Sequence, residues 1–259
     1  MDLPLESRTI VALSGGKASA YVADYAVRNY QNVILYFNDT LWEHKDLYRF
    51  LDDLSKYLNT EILRDSDGRD VAQVCRDNKM LANNRVPFCS RILKAERLQS
   101  FAQHGDSILF GIGPEEKHRA DRILGVYQRL FVKTGKAVRV GFPLIKNNVS
   151  SADVDEWLRS TGIKEPEMYR LGFTHNNCSG GCVRQGLKQW MHLLDTLPDV
   201  YEERAALERE MSAKLGKRVT FAKNVSLDEL RERVKSKSKI DLTDDVEVTD
   251  CIGICQSLA

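Results

Sequence analysis

Long apolar stretches are missing from this chain of 259 residues. No run approaches the about 20 apolar residues of a membrane span, so the sequence predicts no helical membrane segment. The opening residues, MDLPLESR, lack the apolar core of a secretory signal, and we expect a cytoplasmic protein. A large net charge is also missing, since the formal value is +1, which argues against polyanion binding over the whole surface.

Structural disulfides are not expected, because thiols in the cytoplasm stay reduced, yet the chain has six cysteines. Four of them form two pairs with C-x3-C spacing, Cys178 with Cys182 and Cys251 with Cys255. The C-x2-C spacing common at zinc sites is absent. Thiolates flanked by glycines, as here, can wrap a soft metal centre. We expect a [4Fe-4S] cluster, with Zn²⁺ as the alternative. We expect Cys75 to be a plain helix-core cysteine.

The GxxxxGK[ST] phosphate loop is missing, but a shorter glycine–lysine turn lies close to the start of the chain. It comprises Ser14, Gly15, Gly16, Lys17 and Ser19. A buried strand is predicted before this turn and a helix after it. Small residues let backbone N–H groups approach phosphate oxygens, and a helix N-terminus adds partial positive charge. A tight turn with a chance lysine is the alternative, but the strand-to-helix context favours phosphate binding.

Apolar runs alternate with amphipathic runs through the first 150 residues. Strands are predicted over 8–14, 32–39, 60–66, 106–113 and 137–145, and helices over 17–28, 44–58, the stretch up to about Lys79 and 90–104. This order predicts an α/β fold, with a doubly wound, mostly parallel five-stranded sheet covered on both faces. From residue 151 charged amphipathic helices predominate, the first capped by Ser151 or Asp153. We therefore expect a nucleotide-binding domain over 1–150 and a helical, cysteine-bearing region over 151–259.

Polar residues fall where ligands of such sheets bind, beyond the carboxyl ends of the strands. Ser14, Asp39 and Gly113 lie at this edge. Asp39 and Thr40 could hold a ribose hydroxyl or a water on Mg²⁺, or they could cap the following helix.

Cations are concentrated between residues 85 and 140, which hold eleven lysines and arginines against five acidic residues. This segment is either a solvated basic face or an anion-collecting surface beside the phosphate loop. Within it Lys94, Arg119 and Arg122 are candidates for clamping phosphates.

Several motifs together resemble a known superfamily. The SGGKAS turn resembles the pyrophosphate loop (PP-loop) of the adenine-nucleotide α-hydrolases. Later segments resemble the phosphoadenosine phosphosulfate reductase branch: FNDTLWEH, PFCSRILKAERL and FGIGPEEKHRADR. The segment LYRLGFTHNNCSGGCVRQG is similar to cysteine-bearing parts of reductase-like proteins from phages and sulfur-modification operons. The matches run in order over about residues 8–190.

The resemblance implies ATP as ligand, Mg²⁺ as its companion ion and cleavage between the α and β phosphates. It implies nucleotide contacts from the turn residues, Asp39, Thr40 and Gly113, and catalytic roles for Lys17, Asp39, Lys94, Arg119 and Cys251. In adenylylsulfate reductases an earlier cysteine joins a late pair around the cluster, and Cys89 matches that position. Five candidate ligands then compete for four places: Cys89, Cys178, Cys182, Cys251 and Cys255. His175 is a further candidate, with a hydrogen-bonding loop histidine as the alternative.

The tail departs from the reductase pattern. Phosphosulfate reductases end in Glu-Cys-Gly-x-His, whereas this chain ends in TDCIGICQSLA. Together with the intact loop, this favours an ATP pyrophosphatase that adenylates an oxygen for replacement by sulfur, as in DNA phosphorothioation proteins of the DndC and SspD type and in tRNA thiolases. We expect a DNA backbone phosphate as acceptor ahead of tRNA, and a cysteine desulfurase as sulfur donor. The alternatives are an adenylyl sulfate or phosphoadenylyl sulfate reductase and a binding module without turnover. A homodimer is left open as the oligomeric state.

Overall fold

The computed structural model of the protein describes residues 7–242 and residue 245. Cys251 and Cys255 therefore lie outside the described residues. The five strands are β1 (Thr9–Leu13), β2 (Val33–Asp39), β3 (Ile62–Ser66), β4 (Ser107–Phe110) and β5 (Arg139–Gly141). They form one all-parallel sheet in the order β3-β2-β1-β4-β5. The predicted α/β sheet is confirmed, and its strand order reverses between β1 and β4.

Helices connect the strands and continue beyond the sheet. They are α1 (Lys17–Asn29), α2 (Lys45–Leu58), α3 (Val71–Asp77), α4 (Phe88–Ser90), α5 (Glu96–Phe101), α6 (Lys117–Thr134), α7 (Pro143–Lys146), α8 (Ser151–Thr161), α9 (Glu167–Arg170), α10 (Leu187–Thr196), α11 (Pro198–Leu215) and α12 (Leu227–Lys235). A π-helical segment, Arg91–Ala95, joins α4 to α5, and short 3₁₀ turns cover Pro114–Glu116 and Cys178–Gly180. The predicted helical C-terminal region is confirmed.

Alternate strand residues face opposite sides of the sheet, as the period of two requires. Val11, Leu35 and Leu109 belong to the core that α1, α2 and α8 cover. Ile10, Tyr36 and Ile108 belong to the core on the other side, which α5 and α6 cover. Both faces are buried, which explains why the strands are continuous apolar runs rather than alternating ones.

A third core lies among the later helices. It brings α3, α4 and the π-helical segment together with α10, α11 and α12, around Trp190, Tyr201 and Phe221. Cys75 is buried here, its Sγ accepting from the Ala82 N–H at 3.4 Å, and burial raises the pKa of this thiol to about 11. Among the described residues, no helix is long and apolar enough to cross a membrane.

Three local predictions were wrong. The strand predicted over 137–145 is only the three residues of β5, because Pro143 begins α7 at its first helical position. Helix α8 is capped by Ser150 rather than by Ser151 or Asp153, and Asp153 completes the capping box from the third position. Helix α2 is capped by the His44 side chain, so neither Asp39 nor Thr40 caps it.

Candidate active site

The glycine–lysine turn is held together by its own hydroxyl groups. The Ser19 hydroxyl donates to the Gly16 carbonyl at 2.9 Å and accepts from the Ser14 N–H at 3.1 Å. The Ser14 hydroxyl lies 3.1 Å from it and accepts from the Gly16 N–H at 3.2 Å. Both serines are buried. Their hydroxyls therefore shape the turn and fix the direction of its backbone N–H groups.

Gly15 occupies the tightest point of this turn. Its φ of +79° lies in the left-handed region, and a Cβ there would approach the Leu47 side chain to 2.6 Å. Its carbonyl accepts a hydrogen bond from the Asn176 side chain at 2.9 Å. Gly16 then serves as the N-cap of α1 without a side-chain capping bond. The first amides of α1 are thus left for a ligand.

A cleft of about 540 Å³ opens beside this helix end. Lys17 and Ala18 line it from α1, and Gly111 and Gly113 line it from the segment that follows β4. It therefore lies at the point where the strand order reverses, which is where open α/β sheets bind ligands. Leu144, Val149 and Val154 give one wall an apolar surface.

Lys17 is the one cation among the described residues that line the cleft. Its Nζ lies 2.6 Å from Asp155 Oδ1 and 3.0 Å from Glu165 Oε1, and 4.5 Å from the centre of the Tyr169 ring. Burial disfavours the charged ammonium, but the hydrogen bonds to both carboxylates outweigh it and raise the pKa of Lys17. Glu115 and Glu116 add further negative charge to the cleft.

Gly111 has a requirement that the sequence did not reveal. A Cβ at this position would lie 2.6 Å from the Ser19 N and 2.7 Å from the Ser19 Cα. Those atoms are backbone of α1, which cannot move aside as a side chain can. The end of β4 therefore approaches the phosphate turn more closely than any residue with a side chain permits.

Asp39 and Thr40 do not line the cleft in the part of the chain that the structure describes. Asp39 Oδ1 accepts from the Leu41 N–H at 2.8 Å and from the Tyr48 hydroxyl at 2.9 Å. Thr40 donates to Glu43 Oε1 at 2.9 Å. Thr40 lines a second, smaller cavity instead.

This second cavity, which we call the cysteine cavity, has a volume of about 20 Å³ and brings together three predicted cysteines. Cys89, Cys178 and Cys182 line it with Thr40, Ser90, Lys94 and Arg184. Lys94 is buried and its Nζ lies 3.5 Å from Glu43 Oε1. The predicted phosphate clamp at Lys94 therefore lies at the thiols, a position that sequence spacing did not indicate.

The loop that carries Cys178 is strained. Cys178 and Ser179 both have a φ of +52°, and Gly180 follows with a φ of +75°. Left-handed conformations cost roughly 1–2 kcal/mol for each residue other than glycine. The Cys178 N–H donates to Glu43 Oε2 at 2.6 Å, which helps to hold this shape.

Arg204 from α11 closes over the same loop. Its Nη2 donates to the Cys178 carbonyl at 3.3 Å, and its guanidinium stacks on the Trp42 ring at 3.5 Å. A Cβ at Gly181 would lie 2.9 Å from Arg204 Nε. Burial lowers the pKa of Arg204. Nothing in the amphipathic pattern of α11 distinguished this arginine from its exposed neighbours.

Cys89, Cys178 and Cys182 are suitable metal ligands by residue type, but their positions do not form a metal-binding geometry. Hydrogen bonding with Cys182, followed by burial, raises the pKa of Cys178 well above its usual value, while the Lys94 charge acts in the opposite direction. No group of three or more metal-binding side chains in the described ranges is arranged to hold an ion. The cavity is about the size of one or two water molecules, so a [4Fe-4S] cluster requires the loop to open.

One loop connects the two cavities. Phe173 and Thr174 line the cleft, and Asn176 donates to the phosphate turn at Gly15. Cys178 and Cys182, a few residues on, line the cysteine cavity. His175 is fully buried between them, and its Nδ1 accepts from the Asn177 N–H at 3.2 Å. The stretch 173–184 thus touches the nucleotide cleft at one end and the thiols at the other.

Several cations of the basic segment 85–140 are paired with carboxylates, and none of its eleven cations is among the described residues that line the cleft. Arg97 makes two hydrogen bonds to Asp65, at 2.5 and 2.6 Å. Arg91 pairs with Glu96 at 2.7 Å, and Arg119 pairs with Glu116. Arg122, the third predicted clamp, is exposed on α6. These pairs favour a solvated basic face over a continuous anion-collecting surface at the cleft.

The parallel sheet, with helices on both faces and a helical C-terminal region, defines an α/β protein with a doubly wound sheet. The family profile of the phosphoadenosine phosphosulfate reductase domain matches residues 8–184, and the chain belongs to this family. The predicted relation to the reductase branch is thereby confirmed. The narrower resemblance to DNA phosphorothioation proteins stays a prediction.

Among solved structures, the chain is similar to the U34-tRNA thiolase NcsA from Methanococcus maripaludis with its [4Fe-4S] cluster. The TM-score is 0.44 and the identity 16%, over 99% of this chain and 82% of that chain. No curated protein matches the chain.

Proposed function

We propose that the protein is an ATP pyrophosphatase that adenylates an acceptor oxygen so that sulfur can replace it. One observation carries the proposal: a single short loop, 173–184, contacts both an intact phosphate turn and three buried cysteines. The first feature suits ATP cleavage and the second suits sulfur or metal chemistry. Their connection suits an enzyme that performs both parts in sequence.

ATP would bind in the cleft with its phosphates at the N-terminus of α1. The amides of Lys17 and Ala18 would donate to phosphate oxygens, and the Lys17 ammonium would exchange its carboxylate partners for the triphosphate. Oxygen donors from Glu115, Glu116 or Asp155 suit Mg²⁺, which usually bridges one or two carboxylates and substrate phosphates. The apolar wall at Leu144 and Val154 suits the adenine or ribose.

The reaction would proceed in two displacements. The acceptor oxygen attacks the α-phosphorus, the bond to the bridging oxygen breaks, and pyrophosphate leaves. A sulfur nucleophile then attacks the adenylated centre and AMP leaves. When sulfur arrives as a persulfide from a cysteine desulfurase, its outer sulfur forms the new bond. A second thiol then attacks the carrier sulfur, the S–S bond breaks, and the thiol and the carrier form a disulfide.

We propose a DNA backbone phosphate as the acceptor, ahead of a tRNA base. We further propose that four of Cys89, Cys178, Cys182, Cys251 and Cys255 hold a [4Fe-4S] cluster, with Zn²⁺ as the alternative. If only three of these cysteines were ligands, the fourth iron would be open and could carry sulfide. Without a metal, hydrogen bonding with Cys182 and burial raise the pKa of Cys178, and the Lys94 charge acts against them, toward the thiolate.

The Lys17→Ala variant tests the phosphate assignment. Pyrophosphate release should fall by about 10²-fold or more, because a charge aimed at the reacting phosphates is lost. Release of AMP and pyrophosphate is measured directly, with circular dichroism to confirm the fold. Lys146→Ala is the control, since Lys146 is an exposed lysine on α7. Undiminished ATP cleavage in Lys17→Ala would contradict the assignment.

Family membership favours one second function, the reduction of adenylyl sulfate or phosphoadenylyl sulfate with Cys251 as nucleophile. Sulfite formation from an adenylylated sulfate, without pyrophosphate release from ATP, would support it. Pyrophosphate release without sulfite would support adenylation. Binding of ATP without either product would indicate a module without turnover.

A further inference from the structure

A third pocket, of about 370 Å³, lies on the helical C-terminal region and shares no lining residue with the cleft or the cysteine cavity. Gln185 and Leu187 line it at the start of α10, Lys223 and Arg233 line it from beside and within α12, and Asn84 lines it from the segment before α4. Its lining is polar, with two cations, Lys223 and Arg233, and two carboxylates, Asp241 and Asp245.

Gln185 is the first sign of a ligand. The residue is 0% exposed, yet neither Oε1 nor Nε2 of its amide has a hydrogen-bond partner among the described residues. An unpartnered buried polar group destabilises the folded state, and native structures contain few of them. Gln185 lines the pocket, and its amide has one donor edge and one acceptor edge that no described residue uses.

The N-terminus of α10 is the second sign. Gly186 is its N-cap and supplies no side-chain capping bond. The N–H groups of Leu187 and Lys188 instead donate to the two carboxylate oxygens of Asp245, at 2.5 and 3.0 Å. Asp245 thus occupies the position that a phosphate takes at a helix N-terminus.

We propose that this pocket binds a nucleoside phosphate. The phosphate would replace the Asp245 carboxylate on the α10 amides, with Arg233 and Lys223 balancing its charge, and the base edge would hydrogen-bond to the Gln185 amide. Gln185 directly follows Arg184, which lines the cysteine cavity. A nucleotide of the nucleic-acid acceptor would therefore lie beside the thiols, and this last step rests on the proposed function.

Two probes distinguish the sources of this ligand. Cytidine 5′-monophosphate represents a free nucleotide, and a fluorescent ten-nucleotide single strand represents a unit within a chain. Each measurement is repeated in the Lys17→Ala variant, in which the cleft beside α1 lacks the one cation among its described lining residues, so that binding there is separated from binding at the pocket. If both probes bind in a pocket-dependent way, a free nucleotide is a sufficient ligand. If only the strand binds, the ligand is a nucleotide within a nucleic-acid chain. Equal binding of O-phosphoserine would overturn the assignment of Gln185 to a base.

Three substitutions test the geometry. Asp245→Ala removes the competing carboxylate and should tighten binding about two- to fivefold. Arg233→Glu should weaken it at least tenfold, whereas Lys235→Glu, on the same helix but outside the pocket lining, should change it little. Gln185→Leu should weaken binding while the melting temperature stays the same or rises, because an unpartnered buried amide is removed.

The proposed binding site is contradicted if Arg233→Glu and Lys235→Glu weaken binding equally. It is also contradicted if Asp245→Ala and Gln185→Leu both bind the probes like the wild type. The proposed function is judged separately by pyrophosphate release. Pyrophosphate release without pocket-dependent binding overturns only the pocket. Pocket-dependent binding without pyrophosphate release overturns only the proposed function.

Discussion

At the scale of single residues, the site depends on close backbone approaches as much as on charged groups. The sequence indicated Gly15, Gly16 and Lys17 because a glycine–lysine turn between strand and helix is a recognisable pattern. It gave no sign of Gly111, since a lone glycine after a strand has many explanations. The requirement appears only when β4 lies against the start of α1.

Substitution at Gly111 should therefore weaken the fold. In Gly111→Ala the new Cβ meets Ser19 backbone atoms at 2.6 and 2.7 Å, and we expect the free energy of unfolding to fall by about 1–3 kcal/mol. Denaturant unfolding measures this change. Gly113→Ala is the control, because its Cβ meets only the end of the Glu115 side chain. Equal stability of the two variants would show that the β4–α1 contact can relax.

At the scale of elements, the predicted helix over 90–104 illustrates what periodicity can and cannot indicate. Leu93 and Leu98, two apolar residues of the predicted helix, are buried. The π-helical segment Arg91–Ala95 was not predictable, because its i→i+5 bonds leave no sequence period. In a regular α-helix, Cys89 and Lys94 would point about 140° apart. Here both line the cysteine cavity.

Glu208 couples α11 to the segment that leads into α12, and this coupling depends on pH. Its buried carboxylate accepts from the Phe221 N–H at 2.8 Å and the Leu227 N–H at 2.6 Å. Burial raises the pKa of Glu208 to about 7, against the opposing effect of these bonds. The charge of Asp228 also raises the pKa of Glu208, and the charge of Arg218 lowers it.

A raised carboxyl pKa means that the folded state holds the proton more tightly than the unfolded state. The contribution of Glu208 to stability is therefore fully present below about pH 4.5 and is lost as the pH rises through about 7. Between these values we expect the free energy of unfolding to fall by about 3 kcal/mol at most. Denaturant unfolding of Glu208→Gln across this range should lack that slope. The exposed Glu232→Gln variant should retain it.

At the scale of the whole molecule, the sequence predicted the doubly wound sheet and the helical region well, because strand and helix periods alternate clearly. The composition of the cysteine cavity was only partly predictable. Cys89 and the Cys178 pair were named from spacing and resemblance. Tertiary packing brings Lys94 to the cavity, and it brings Glu43 and Arg204 to the backbone of Cys178. Cys251 and Cys255 lie outside the described residues, so their roles stay predictions.

Iron content tests the cavity as a metal centre. Protein purified without oxygen should hold about four irons per chain, and Cys178→Ser should lose most of them. Cys75→Ala should keep its iron, because Cys75 lies in the third core and not at the cavity. Iron is measured by mass spectrometry and by visible absorption. Stoichiometric zinc without iron, after reconstitution with iron and sulfide, would indicate a structural zinc site instead.

The loop 173–184 also prevents Asn176 and Cys178 from moving independently of each other. One residue separates Asn176 from Cys178, so their Cα atoms can never be more than about 7 Å apart. If Asn176 releases Gly15 and the loop moves farther than that, Cys178 must leave the cysteine cavity with it. A substitution that distorts this stretch should therefore disturb both the cleft and the cysteine cavity. In related sequences we expect residues around the two sites to vary together rather than separately.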